Sequence, residues 1–138
     1  MNKKLLAIAM VLPLLMTAAA SAQTVHIRVM VPFNFIAAGT SLPAGVYDIQ
    51  SFGVEEKLLA IHDLNSSAGI LIFSNSKESL DPSSSTKLVF HRYGDRYFLA
   101  ELWAQGHKSG HQVPPSSRET EVAMDFTRSD VVLLMARR

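Results

Sequence analysis

A chain of 138 residues with 13 Lys plus Arg, 12 Asp plus Glu and no cysteine excludes several classes of protein before any motif is read. There can be no disulfide framework, no thiolate zinc site and no cysteine nucleophile, so stability must come from an ordinary hydrophobic core. The basic residues are scattered, not gathered into the stripe that phosphate neutralisation demands, which argues against nucleic-acid binding.

The amino terminus reads as a secretory signal. Asn2, Lys3 and Lys4 form a polar, basic start, Leu5 to Ala20 is almost wholly apolar, and Ala20-Ser21-Ala22 supplies the small-x-small site of a signal peptidase. The apolar run is short for a membrane span, which needs roughly 20 residues, although an uncleaved N-terminal anchor is the alternative. Cleavage after Ala22 leaves 116 residues from Gln23 onward and, with Lys3 and Lys4 gone, a net charge of −1. No cysteine stands at the cleavage point to carry a lipid anchor, and no second segment is long and apolar enough to span a bilayer. The expected mature protein, 23–138, is one domain, periplasmic or secreted; a chain of this size buries about 65% of its unfolded surface.

Beyond the signal the periodicity is that of strands. Val25, Ile27, Val29, Val31, Phe33 and Phe35 alternate with His26, Arg28, Met30, Pro32 and Asn34, which predicts a strand that lies at a sheet edge or bends at Pro32. Leu42-Pro43-Ala44-Gly45 is a turn signal, followed by a short strand over 46–52, a turn over 53–56, and strands over 58–62 and 69–73. The Ser-, Asn-, Asp- and Pro-rich stretch 74–85 is expected to be an exposed, mobile loop, and 106–117 a second loop.

Between those loops, Lys87 to Trp103 forms two β-rich runs flanking Gly94-Asp95, a hairpin with a primed two-residue turn. Uninterrupted pairing from that turn sets Phe90 opposite Leu99 and Val89 opposite Ala100. It puts Leu88, Phe90, Tyr97 and Leu99 on one face and Val89, Tyr93, Phe98, Ala100 and Leu102 on the other. Both faces are largely apolar, so the hairpin belongs in the middle of the fold. Ser116 to Glu119 matches a capping box and predicts a short helix to about Met124, and 131–136 is a last apolar strand. The fold class is therefore all-β: an antiparallel β-sandwich or small barrel of about seven to eight strands, with one short helix near the C-terminus.

Three stretches, VPFNF at 31–35, LPAGVY at 42–47 and KLVFHRYGDRYFLAELW at 87–103, occur in an order followed by Ser117-Arg118-Glu119. Together they resemble a group of small exported proteins of unassigned activity from soil-dwelling Gram-negative bacteria. The resemblance implies export and a single domain. It brings no cofactor and no catalytic residue.

Candidate sites are few. His107 and His111 stand four apart in a glycine-flanked loop, and with a third ligand such as His91, Asp95 or Glu101 they could hold a metal; solvated loop histidines are the alternative. Arg92, Tyr93, Arg96 and Tyr97 at the hairpin tip could form a platform for a carboxylate, a phosphate or a sugar, or simply stabilise the tip by Arg–aromatic stacking and an ion pair with Asp95. No nucleophile elbow and no phosphate-binding glycine loop is present, and the serines at 74–85 and 116–117 are explained by solubility. The leading expectation is an exported, non-catalytic β domain without cofactor, working by contact with an unknown envelope or extracellular partner. The alternatives are a small-ligand carrier with an apolar cavity lined by Phe33, Phe35, Phe98 and Leu99, and a metal-dependent enzyme using His107 and His111.

Overall fold

The computed structural model describes residues 24–136. The signal read over 1–22 lies outside the described residues.

Among the described residues eleven strands form two sheets. The first contains β1 (His26–Val31), β4 (Gly45–Phe52), β5 (Leu58–Asp63) and β6 (Gly69–Phe73) in the order β1-β4-β5-β6. The second contains β8 (Lys87–Tyr93), β9 (Arg96–Trp103), β10 (Ser109–Gln112), β7 (Asn75–Glu78) and β11 (Asp130–Met135) in the order β11-β8-β9-β10-β7. The three-residue strands β2 (Phe35–Ala37) and β3 (Thr40–Leu42) join it through a parallel contact between Ile36 and Phe98. The architecture is thus a β-sandwich. One helix, α1 (Ser117–Met124), lies near the C-terminus.

The inner faces follow from alternation. In β1, Ile27, Val29 and Val31 are buried while His26, Arg28 and Met30 are exposed; in β4, Tyr47, Ile49 and Ser51 are buried; in β5, Leu59, Ile61 and Asp63. Apart from Ser51 and Asp63, these side chains meet Phe35, Leu42, Ile72, Leu88, Phe90, Leu99, Leu102 and Val113 in one cluster between the sheets. Each fully buried aliphatic or aromatic side chain there stabilises the fold by about 1.5–3 kcal/mol relative to exposure. Pro32 ends β1: the chain leaves the edge of the first sheet and resumes in β2 on the second, so the long alternation is split between layers at the residue that cannot donate to a ladder.

The β8–β9 hairpin occupies the middle of the second sheet, with Gly94 at φ 64 in its turn. Its register departs from the uninterrupted expectation. Tyr93↔Arg96 to Phe90↔Leu99 pair in step, but Val89 then faces Glu101, with the register shift falling between Val89 and Phe90. Ala100 is the extra residue of this β-bulge, and its carbonyl accepts from the Val113 amide at 2.8 Å. The bulge flips the parity of the rest of β9. Leu102, expected on the face of Ala100, turns with Leu99 into the inter-sheet core, and Glu101 pairs with Val89 on the outer face.

Two expected loops contain strands. Asn75–Glu78 of the 74–85 stretch pairs antiparallel with Ser109–Gln112 of the 106–117 stretch, from Asn75↔Gln112 to Glu78↔Ser109. Their polar side chains gave no apolar signal, and backbone bonds hold the pair. Together with the short β2 and β3, these account for eleven strands where about seven to eight were expected.

The capping box forms by half. Ser116 Oγ accepts from the Glu119 amide at 3.2 Å, but the Glu119 carboxylate turns away to bond His91 and Tyr93. The helix settles on the outer face of the second sheet, where Val122 joins Ile36, Tyr93 and Phe98 in a second cluster.

Candidate functional site: a basic notch at the hairpin tip

The β8–β9 register pairs Arg92 with Tyr97 and Tyr93 with Arg96, and adjacent pairs point to opposite faces of a sheet. The four residues therefore do not make one platform. Tyr93 is buried, set against Phe98 and Phe126, with its hydroxyl donating to Glu119 Oε1 at 3.3 Å. Burial and then the Glu119 charge push its phenol above the ordinary value. Arg92 donates to Asp130 Oδ2 at 2.8 Å. Both residues are taken up in holding the fold together.

Arg96 and Tyr97 remain. Tyr97 stacks on Phe33 with ring centroids 3.9 Å apart and planes 16° from parallel, which fixes the ring by packing. Beside it a notch of about 270 Å³ is lined by Asn34, Ser41, Asp95, Arg96, Tyr97 and Arg118. They come from four parts of the chain: the segment after Pro32, β3, the β8–β9 hairpin and α1. Asn34 follows the break at Pro32 and is pinned by the Ala44 amide, which donates to its Oδ1 at 2.9 Å. Ser41 lies on β3 and accepts from Arg118 Nη1 at 3.2 Å. Arg118 is placed by the Ser116 cap in the first turn of α1. The Arg96 guanidinium has no hydrogen-bond or ion-pair partner among the described residues, and neither arginine is paired with a carboxylate. The lining thus carries two guanidinium groups against the single carboxylate of Asp95, a composition suited to an anion with in-plane oxygens.

The histidines are dispersed. His107 and His111 line one cleft of about 340 Å³ with Glu56 and Ser74. His111 Nδ1 is 3.1 Å from Ser74 Oγ, and burial holds this imidazole below its ordinary 6.5 against the opposing pull of Glu56. The third ligands expected from sequence lie elsewhere. His91 is 3.0 Å from Glu119 Oε1, across the second sheet, and Asp95 is in the tip notch. Glu101 accepts from the Lys77 ammonium and, at 2.8 Å, from Trp103 Nε1. Burial raises the Glu101 carboxyl, and the bonds from Lys77 and Trp103 more than offset this, leaving it below the ordinary range. Among the described residues no three His, Asp or Glu side chains converge as a metal set.

The four residues that the carrier reading assigned to one cavity are divided. Phe35 and Leu99 belong to the inter-sheet core, with Phe33 against it, and Phe98 to the cluster under α1.

Sequence reasoning missed four residues. Ser41 and Arg118 stand far from the tip in the chain and carry no local signature. Ser74, read as a solubilising serine, is almost fully buried and holds His111. Glu119, read as a capping residue, is a buried acceptor for two β8 side chains. No protein-family model, curated protein or solved structure matches the chain. Among the described residues no helix is long and apolar enough to cross a membrane.

Proposed function

We propose that the chain is an exported, non-catalytic β-sandwich protein that acts by binding in the cell envelope or outside the cell, and that the hairpin-tip notch takes a carboxylate or phosphate group of its partner. The observation that carries this reading is the convergence of Arg96 and Arg118, neither paired with a carboxylate, on one notch walled by the fixed ring of Tyr97. The leader-like segment from Asn2 to Ala22 supports export.

The binding half is tested by titrating the protein with inorganic phosphate and, separately, with a monosaccharide uronate while following arginine Nε and Tyr97 resonances. Saturable shifts at Arg96, Arg118 and Tyr97 are expected, weakened about tenfold by Arg96→Gln or Arg118→Gln, in line with about 1.5 kcal/mol for a hydrogen bond to a charged group. Shifts that do not saturate, or that survive both substitutions, reject the site. The export half is tested by N-terminal sequencing of protein recovered from periplasm or medium, which should begin at Gln23; an intact Met1 in the cytoplasmic fraction rejects it.

A further inference from the structure

The outer face of the second sheet is only partly covered. The register sets three rows of side chains across it: Val131 beside His91, then Leu133 beside Val89 and Glu101, then Met135 beside Lys87 and Trp103. α1 covers one end of this face, where Glu119 holds His91. The segment 79–84 closes the other end. It is tied down by the Ser79 amide, which donates to the Lys108 carbonyl at 2.8 Å, and by the Ser83 amide, which donates to that of His107 at 2.9 Å. Between them lies a groove of about 470 Å³, within the range of about 300–1,000 Å³ for small-ligand sites. It shares no lining residue with the hairpin-tip notch.

The floor of the groove is Val89, Val131 and Leu133, the last two 63% and 52% exposed. Polar groups frame that floor. Glu101 stands about 5 Å across the ladder from Val89, and His91 about 6.6 Å along β8 from it. The Glu101 carboxylate is fixed by Lys77 at one oxygen and by Trp103 Nε1, 2.8 Å away, at the other, so each oxygen can accept once more. His91 Nδ1 is taken by Glu119 Oε1 at 3.0 Å, which turns Nε2 away from that carboxylate. The Lys87 ammonium and the Asp81 carboxylate, also on the lining, have no hydrogen-bond or ion-pair partner among the described residues. With Glu101 balanced by Lys77, and the imidazole neutral, the lining carries no net charge. Leu71 and Phe73 of the first sheet are at least as exposed, but they face Ala60 and Leu58 across their ladder, partners whose side chains offer no hydrogen bond.

We propose that this groove binds a neutral sugar ring of a polysaccharide, laid face down on Val89 and Leu133, with its hydroxyls donating to Glu101 and to His91 Nε2 and accepting from Lys87. A pyranose joins a face of C–H bonds to a girdle of hydroxyls, the same division as floor and frame here. The balanced charge of the lining suits an uncharged ring, where the two arginines of the notch suit an anion. Beneath the floor β8 is paired on both sides, by β9 and β11, so its backbone offers an extended peptide no edge and side chains alone do the recognising. The groove and the notch bind independently of one another.

The test titrates the purified protein with neutral tetrasaccharides of glucose, galactose and N-acetylglucosamine to millimolar concentration, following the emission of Trp103, the sole tryptophan, and the backbone amide resonances. At least one sugar should give saturable changes at Trp103, Val89 and Leu133. Leu133→Asp, which sets a carboxylate under the C–H face, should weaken binding by about tenfold or more, and Lys87→Met, which removes one donor, by about fivefold. Leu71→Asp, at an exposed position of the other sheet, should leave binding unchanged. If Leu133→Asp alters the far-ultraviolet spectrum, Lys87→Met alone decides. No saturable response to any of the three sugars overturns the proposal. So does binding indifferent to the groove substitutions, binding lost equally in Leu71→Asp, or binding displaced by inorganic phosphate, which would place the sugar in the notch. Saturable binding of an uncharged Ser-Ala peptide at the same residues, with no response to sugar, gives the groove to a peptide and likewise overturns it.

Discussion

Gly110 in β10 lies against the indole of Trp103 with no room for a side chain. A methyl group placed on it would stand 2.6 Å from Cδ2 and Cε3 of that ring and 2.9 Å from Cε2, where carbon contacts are normally about 3.5–4.0 Å. Neither partner is free to retreat. The buried indole donates through Nε1 to Glu101 Oε2 at 2.8 Å, and β10 is paired with β7 on one side and β9 on the other. Enlarging a packed site costs about 1–3 kcal/mol, and loss of the Trp103–Glu101 bond adds about 1 kcal/mol. Stiffening of the unfolded chain returns about 0.4–1 kcal/mol. Gly110→Ala should therefore destabilise the protein by about 2 kcal/mol, which lowers the urea midpoint by about 1 M. Trp103 is the sole tryptophan, so its emission both follows unfolding and reports its own displacement in the folded state. In a Trp103→Phe background, followed by circular dichroism, the same substitution should cost less. An unchanged midpoint together with an unchanged emission maximum would show that the indole does not lie against β10.

Three further outcomes follow from the same packing. Leu102→Ala should cost about 2–5 kcal/mol in chemical denaturation, because the bulge turns this fully buried side chain into the core; a loss under about 1 kcal/mol would return Leu102 to the outer face. Burial lowers the His111 imidazole against the opposing pull of Glu56, so below 6.5 the unfolded chain takes up a proton more readily than the folded state. Stability should fall as pH drops from about 6.5 through the lowered folded value and level off beneath it. His111→Gln should remove that component, and parallel profiles for the two proteins refute the assignment. Glu119→Gln keeps a hydrogen-bond acceptor but deletes the charge that, after burial, raises the Tyr93 phenol. Alkaline absorbance titration should show one tyrosine ionising at lower pH in the variant, and superimposable curves would place the cause elsewhere.

What the sequence reveals of this fold is whatever depends on side-chain period. The alternation of Ile27, Val29 and Val31, the Gly94-Asp95 turn and the Ser116 cap each rest on residues within a few positions of one another, and each forms. What it hides is decided by backbone pairing at a distance. β7 and β10 are strands because each completes the other's hydrogen bonds, and Asn75-Ser76-Lys77-Glu78 has no apolar face to announce it. The bulge at Ala100 is invisible because alanine suits either face; its effect shows only in the parity of Leu102. The notch was legible as far as Arg96 and Tyr97. Arg118 and Ser41 reach it only because α1 and the β2–β3 hairpin pack around the tip, and no local pattern encodes that meeting.

The pairing of β8 with β11 also bears on how the molecule comes into being. β8 meets β9 across a tight turn, but its other neighbour is β11, the last of the described strands in chain order. Until Asp130–Met135 emerge, Leu88 and Phe90 lack the cover of Leu134 and Val132 opposite them. Contacts between distant parts of a chain form slowly, and the half-built sheet leaves a greasy flank open meanwhile. Among the described strands, β11 thus acts as the latch of the second sheet.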